Sequence, residues 1–247
     1  MQKDPELELI GCRVEGFTDK GPLPESAVHY QSWSNSLMSH QQIENDLFAE
    51  SPIVHPTFFA TRKLFDKIGG YSNNPWAEDY DFILRAYGCG TRLAKHPEIL
   101  VRKYFAPERL SRVEAMYKRP AMFEAKVHYL LEFGRLKKRR GVLIVGSGPT
   151  GRQAAQSFAN RGVRLLGFVD NRTGPPDRQV KNLPAWGFNN LPPEEFMHKF
   201  RDSLIVLAIG DSSGQRFFAE FLRKSDFVEN HDFVRVIYNW PSAANSI

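Results

Sequence analysis

The chain has 247 residues, 42% hydrophobic and 25% charged, an ordinary globular composition sufficient for one large or two small domains. Two cysteines, Cys12 and Cys89, argue against a disulfide framework and suit a reducing compartment. The start is polar with no signal peptide, and no apolar run reaches the roughly 18–20 residues of a membrane span, so we read a soluble, cytoplasmic protein.

The net charge is +5 and the pI near 9.2. Nucleic-acid binding is one reading of that balance. Apart from the run at 135–140 (RLKKRR), however, the basic residues are scattered. We therefore expect a mildly basic enzyme that handles phosphate-bearing substrates, with no nucleic-acid partner.

Taken in chain order, residues 7–17 read as a strand and 18–26 as a Pro/Gly-rich loop. Residues 30–50 read as mainly helical and weakly amphipathic, stopped by Ser51-Pro52. Residues 53–61 are apolar, interrupted by His55-Pro56, and 63–68 form a short helix ended by Gly69-Gly70. Tyr80, Ile83, Leu84 and Tyr87 recur at helical spacing over 79–87, and 92–101 holds a short strand. A long helix-compatible stretch, 113–136, is kinked or restarted by Pro120. A domain boundary is expected near 137–140.

Beyond it the pattern changes to alternating strands (141–145, 164–169, 204–209, 234–238) and helices (150–161, 192–201, 214–225). That alternation predicts a parallel sheet with helices on both faces.

The densest chemistry lies between Ser51 and Arg85. Glu78-Asp79-Tyr80-Asp81 puts three carboxylates in four residues, which repel unless a cation, a proton donor or a helix N-terminus compensates. Arg85 stands at i+4 from Asp81. A plain structural account is available: Glu78 and Asp79 cap the helix, and Asp81–Arg85 is a helical ion pair.

The series Ser-Pro-Ile-Val-His-Pro-Thr (51–57), Gly69-Gly70-Tyr71, then Glu78-Asp79-Tyr80-Asp81 with Arg85 resembles the back half of family-2 glycosyltransferases of the GT-A fold, over about residues 5–115. The resemblance implies an inverting transfer from a UDP-sugar to the hydroxyl of a glycan or other acceptor. One carboxylate acts as general base, Asp79 first and Glu78 second. By the same resemblance His55, Trp76, Asp81, Arg85 and Arg109 are substrate-binding candidates, although Asp81 and Arg85 also suit holding the helix. His55 equally suits a half-buried polar residue before a proline turn. Trp33 and Trp76 suit either sugar stacking or packing.

Glu108-Arg109-Leu110-Ser111-Arg112 matches the family's loop after the last strand of this region. Ala106 stands where many relatives carry a histidine, so a metal or diphosphate role for that histidine does not carry over. The family's nucleotide-binding half and its Asp-x-Asp metal motif would precede Glu6, so the expectation is a fragment. The complete enzyme's divalent metal (Mn or Mg) would have its ligands mostly outside this chain. Asp79-Tyr80-Asp81 matches Asp-x-Asp as a string but opens a helix instead of following a strand, and no metal ligand is assigned here.

After the strand at 142–145 comes Gly146-Ser147-Gly148-Pro149-Thr150-Gly151 and a helix, the context that makes a G-x-G-x-x-G motif credible. Gly146, Gly148 and Gly151 would let a phosphate approach backbone N–H groups, and Asp170 would bond ribose hydroxyls. Gly167-Phe168-Val169-Asp170-Asn171, Leu183–Gly187 and Ala208-Ile209-Gly210-Asp211 resemble the Rossmann-like domain of bacterial sugar O-acyltransferases, which implies a nucleotide-sugar ligand. An NAD site and a non-catalytic scaffold remain alternatives.

The order of the two regions resembles a group of eukaryotic beta-1,3-N-acetylglucosaminyltransferase-like proteins, which implies UDP-GlcNAc as donor. The expected architecture is thus α/β: a partial GT-A glycosyltransferase domain (1–115), a helical basic linker (116–139) and a Rossmann-like parallel-sheet domain (140–247).

Overall fold

The computed structural model describes residues 4–19, 21–106, 114–171 and 178–238. It is an α/β chain of two compact units, Met1–Ala125 and Lys126–Ile247. The expected boundary thus moves into the helix Arg119–Glu132, where the expected linker was to lie. Pro120 starts that helix and does not kink it: at the first turn its missing N–H has no intrahelical partner to lose.

In the first unit β1 (Leu7–Phe17) is the middle of a three-stranded sheet. It pairs antiparallel with β2 (Phe59–Ala60) and parallel with β3 (Arg92–Tyr104). The β1–β3 register slips where Cys12 faces His96 and Arg13 faces Ile99, stepping over Pro97, which has no N–H to give the ladder. The outer edge of β1 beyond β2 is closed by α1 (Glu25–Ser36). Asn35 accepts from the Val14 N–H at 3.0 Å and donates to its carbonyl at 2.8 Å, and Gln31 accepts from the Gly16 N–H at 2.6 Å. These amides do what a neighbouring strand would do.

The single helix expected over 30–50 is two. After α1 the chain turns at residues 37–39 and re-enters α2 (His40–Asp46) through a capping box of Ser39 and Gln42. Next come α3 (Arg62–Ile68), ended by a left-handed Gly69, and α4 (Glu78–Gly88). Tyr80, Phe82, Ile83 and Leu84 are the buried apolar body of α4.

The second unit opens with the end of α5 (Arg119–Glu132) and then β4 (Val142–Val145), every residue of which is buried. The sheet order is β6-β7-β5-β4-β8-β9, with β5 (Leu165–Asp170), β7 (Leu183–Gly187), β8 (Leu204–Leu207) and β9 (Phe233–Arg235) all parallel to their neighbours along β4. Only β6 (Gln179–Val180) runs antiparallel, against β7. The helices are α6 (Pro149–Asn160), α7 (Pro193–Phe200) and α8 (Ser212–Lys224).

One apolar core joins Leu143, Val145, Val169, Ile205 and Leu207 of the sheet to Phe196, Phe200, Phe218 and Leu222 of the helices. The strand order reverses direction on either side of β4. In open α/β sheets a crevice forms at such a point, outside the carboxyl ends of the strands. Among the described residues no helix is long and apolar enough to cross a membrane.

Candidate functional sites

In the first unit the carboxylates gather at the start of α4. Asp81 is fully buried, and its donors include Ser72 Oγ at 2.5 Å, Asn74 Nδ2 and Trp76 Nε1 at 2.8 Å each, and Arg85 Nε at 2.7 Å. A buried carboxylate is tolerable only when so satisfied. Arg85 also donates through Nη1 to the Ile68 carbonyl at 2.6 Å. Trp76 is only 5% exposed. Trp76, Asp81 and Arg85, expected as substrate contacts, therefore tie the loop 69–77 to its helix. Trp33 is likewise buried, donating to Asp46 at 3.0 Å.

That tie leaves Glu78 and Asp79 at the helix opening. Ala77, at the N-cap, makes no side-chain cap. Glu78 Oε2 accepts from the Tyr117 hydroxyl at 2.5 Å, and Glu78 Oε1 lies 3.6 Å from His55 Nδ1. The other ring nitrogen of His55 is 2.8 Å from the Tyr71 hydroxyl. Asp79 accepts from the Tyr80 N–H at 2.7 Å. Burial pushes the Asp79 carboxyl above its ordinary range; His55 pulls it back and the Glu78 charge pushes it further. Burial also raises the Tyr71 hydroxyl, with the Asp79 and Glu78 charges adding to it.

The structure thus brings His55, Glu78 and Asp79 together. Tyr117 joins them with no signal in the sequence to announce it. Arg109 and its loop lie outside the described residues. Among the described residues no cluster of three His, Cys, Asp or Glu side chains is arranged to hold a metal ion.

In the second unit a cavity of about 610 Å³ lies at the carboxyl ends of β4, β5 and β8. Gly146, Gly148, Asp170, Phe188, Asp211 and Phe217 are among its lining. The three loop glycines have different physical reasons. Gly146 has a φ of +107°, a conformation L side chains rarely adopt, and a Cβ there would meet the Ala208 carbonyl. A Cβ on Gly151 would stand 1.8 Å from the Gly146 carbonyl oxygen. Gly148 has an ordinary φ of −70° and open space around its missing side chain. Neither backbone nor packing demands that glycine, so what it keeps clear is the cavity.

Gly148 is also the N-cap of α6 and, having no side chain, supplies no cap bond of its own. The other helix start on the cavity is already satisfied. Asp211 caps α8, its Oδ2 accepting from the Gly214 N–H and the Ser213 hydroxyl at 2.6 Å each. Those two bonds, Ser213 foremost, hold the Asp211 carboxyl below its usual range. An anion entering the cavity is thus favoured at α6 and repelled at α8.

Asp170 lies at the end of β5 as the motif requires, yet it is buried with partners of its own. Its Oδ2 accepts from the Ser147 hydroxyl and from Arg178 Nη2 at 2.7 Å.

No protein-family model matches this chain, and no significant match was found among curated proteins. Solved structures do match faintly. A crystal structure of RSP, a Rex-family repressor, matches with a TM-score of 0.34 at 18% identity, over 47% of this chain and 61% of that one, so the chain spans about three fifths of that relative. RSP in complex with beta-NADH matches with the same TM-score at 14% identity, over 89% of each chain. RSP with beta-NAD+ and operator DNA matches at 14% identity over 87% of this chain and 86% of that one, again with a TM-score of 0.34. A likeness this faint describes those proteins and not this one.

Proposed function

We propose that the second unit binds a nucleoside diphosphate or its sugar conjugate, with the diphosphate at Gly148 and the start of α6. The observation that carries this reading is Gly148 itself, a glycine that the fold does not need, facing the cavity at the start of α6, where the helix dipole favours an anion. Gly148→Val is expected to abolish binding of UDP and UDP-GlcNAc in calorimetry on the whole chain while leaving the thermal midpoint within about 2 °C. Retained binding in that variant would refute the site. Wild-type protein that responds to NAD and not to UDP would turn the reading to a dinucleotide.

A second reading, inverting glycosyl transfer, is favoured by the Glu78–Asp79–His55 cluster. In it the acceptor hydroxyl gives its proton to the Asp79 carboxylate. Its oxygen bonds to the anomeric carbon as the bond to the diphosphate oxygen breaks, and UDP leaves with that electron pair. A carboxylate raised by burial holds a proton more readily than an exposed one, which suits a base for a hydroxyl.

The described carboxylates do not make up the site for the divalent ion that the family resemblance implies, and no step here is routed through one. Asp79→Asn is expected to lower UDP release from UDP-GlcNAc at least about 100-fold. Unchanged release would remove Asp79 as the base. No release by the unaltered chain would leave a non-catalytic nucleotide-binding scaffold.

A further inference from the structure

We infer that Phe188 and Phe217 form a wall that holds the nucleobase of the ligand whose phosphates bind at α6, so that the site takes an aromatic nucleoside diphosphate and not a bare sugar phosphate. The inference rests on the nucleotide reading above and adds to it the chemistry of the ligand's other end.

Phe217 is the clue. The buried residues of α8 are Ser212, Gln215, Phe218, Ala219 and Leu222, a stripe at helical spacing turned to the core. Phe217 lies off that stripe and is 54% exposed, on a helix whose other outward positions are polar or charged, such as Arg216 and Glu220. The core does not require a large apolar side chain there. It lines the same cavity as Gly148.

Phe188 follows β7 directly and meets Phe217 at 5.5 Å between centroids with the rings perpendicular. Phe188 is itself held by Phe218 at 4.6 Å and Phe221 at 4.9 Å, both edge-on, and by Phe196 at 6.5 Å. One ring of the corner is therefore fixed by the core and the other is open to the cavity. Asn189, next in the chain, also lines it and carries both a donor and an acceptor. A planar base gains from stacking on such rings whichever base it is, whereas a sugar phosphate gives them no π face.

The test uses the whole chain and two probes, UDP and inorganic pyrophosphate, titrated calorimetrically. Base–aromatic stacking predicts that Phe217→Ala weakens UDP about tenfold or more while pyrophosphate stays within about twofold. Phe217→Tyr, which keeps the ring, should stay near wild type for both. A Phe217→Ala variant in which UDP is unchanged, or falls only in step with pyrophosphate, overturns the wall. Wild-type protein that binds pyrophosphate as tightly as UDP overturns the wall and leaves the phosphate cradle standing. Wild-type protein that binds neither removes the nucleotide reading, and the wall with it.

Discussion

Lys95 carries its amine into the interior of the first unit, where Nζ donates to the Ser34 carbonyl and, at 2.9 Å, to the Ser34 hydroxyl. Burial pushes its pKa down to about 7; the nearby Cys12 opposes that shift and the Arg13 charge reinforces it. The folded value lies below the unfolded one, near 10.4, so between those limits the unfolded chain binds the extra proton. Stability from this group therefore rises with pH from about 7 to about 10 and is lost as pH falls toward 7.

Urea unfolding should show a gain on the order of 2 kcal/mol between pH 7 and pH 9 that Lys95→Met lacks. Equal pH slopes in the two proteins would refute it. Nothing in the sequence around Lys95 announces its burial. By contrast, the Asp81–Arg85 pair was legible from its i,i+4 spacing and is present at 2.7 Å. The partners Ser72, Asn74 and Trp76 were not, because a loop folding back on a carboxylate has no period to read.

At the scale of elements, β1 owes one edge to side chains. Asn35→Ala removes an acceptor and a donor from the Val14 peptide group in a part-buried place. A loss of about 1–3 kcal/mol in chemical unfolding is expected. A loss under about 0.5 kcal/mol would mean that water replaces the amide at no cost.

Most elements were legible from periodicity: β1, α4, β4, α6 and β8 stand within a few residues of their expected places. The break between α1 and α2 was carried by the Ser39-x-x-Gln42 capping box, a local signal that the weak amphipathicity of 30–50 obscured. The strands β6 and β7 escaped a pattern reading because they are two and five residues long and Pro184 sits inside β7. β7 lies one strand in from the sheet end, and its Pro184 faces Gln179 of the two-residue edge strand β6. The strand–glycine–helix context of the second site was plain in the sequence. The partners that occupy Asp170 and the aromatic corner were not, because Arg178, Phe188 and Phe217 reach the cavity from three separate elements.

For the molecule as a whole, the boundary between the units falls at Ala125/Lys126 instead of near 137–140. The physical reason is packing: the buried Lys126 donates through Nζ to the Val236 carbonyl at 3.0 Å, and Val127 and Leu130 are also buried. A fragment of residues 119–247 should therefore melt cooperatively. A fragment of 138–247 lacks that helix and should melt at least about 5 °C lower, or not cooperatively. Equal melting of the two fragments by circular dichroism would refute the assignment of the helix end to the second unit.

Gly210 shares with Gly148 an ordinary φ and open space where its side chain would be, and both face the same cavity. The backbone at these two places accepts a larger residue without rearranging, while Gly146 and Gly151 do not. The width of the cavity can therefore be adjusted at Gly148 and Gly210 separately from the architecture. A graded series from alanine to leucine at Gly210 offers a way to narrow that cavity stepwise while the chain remains folded.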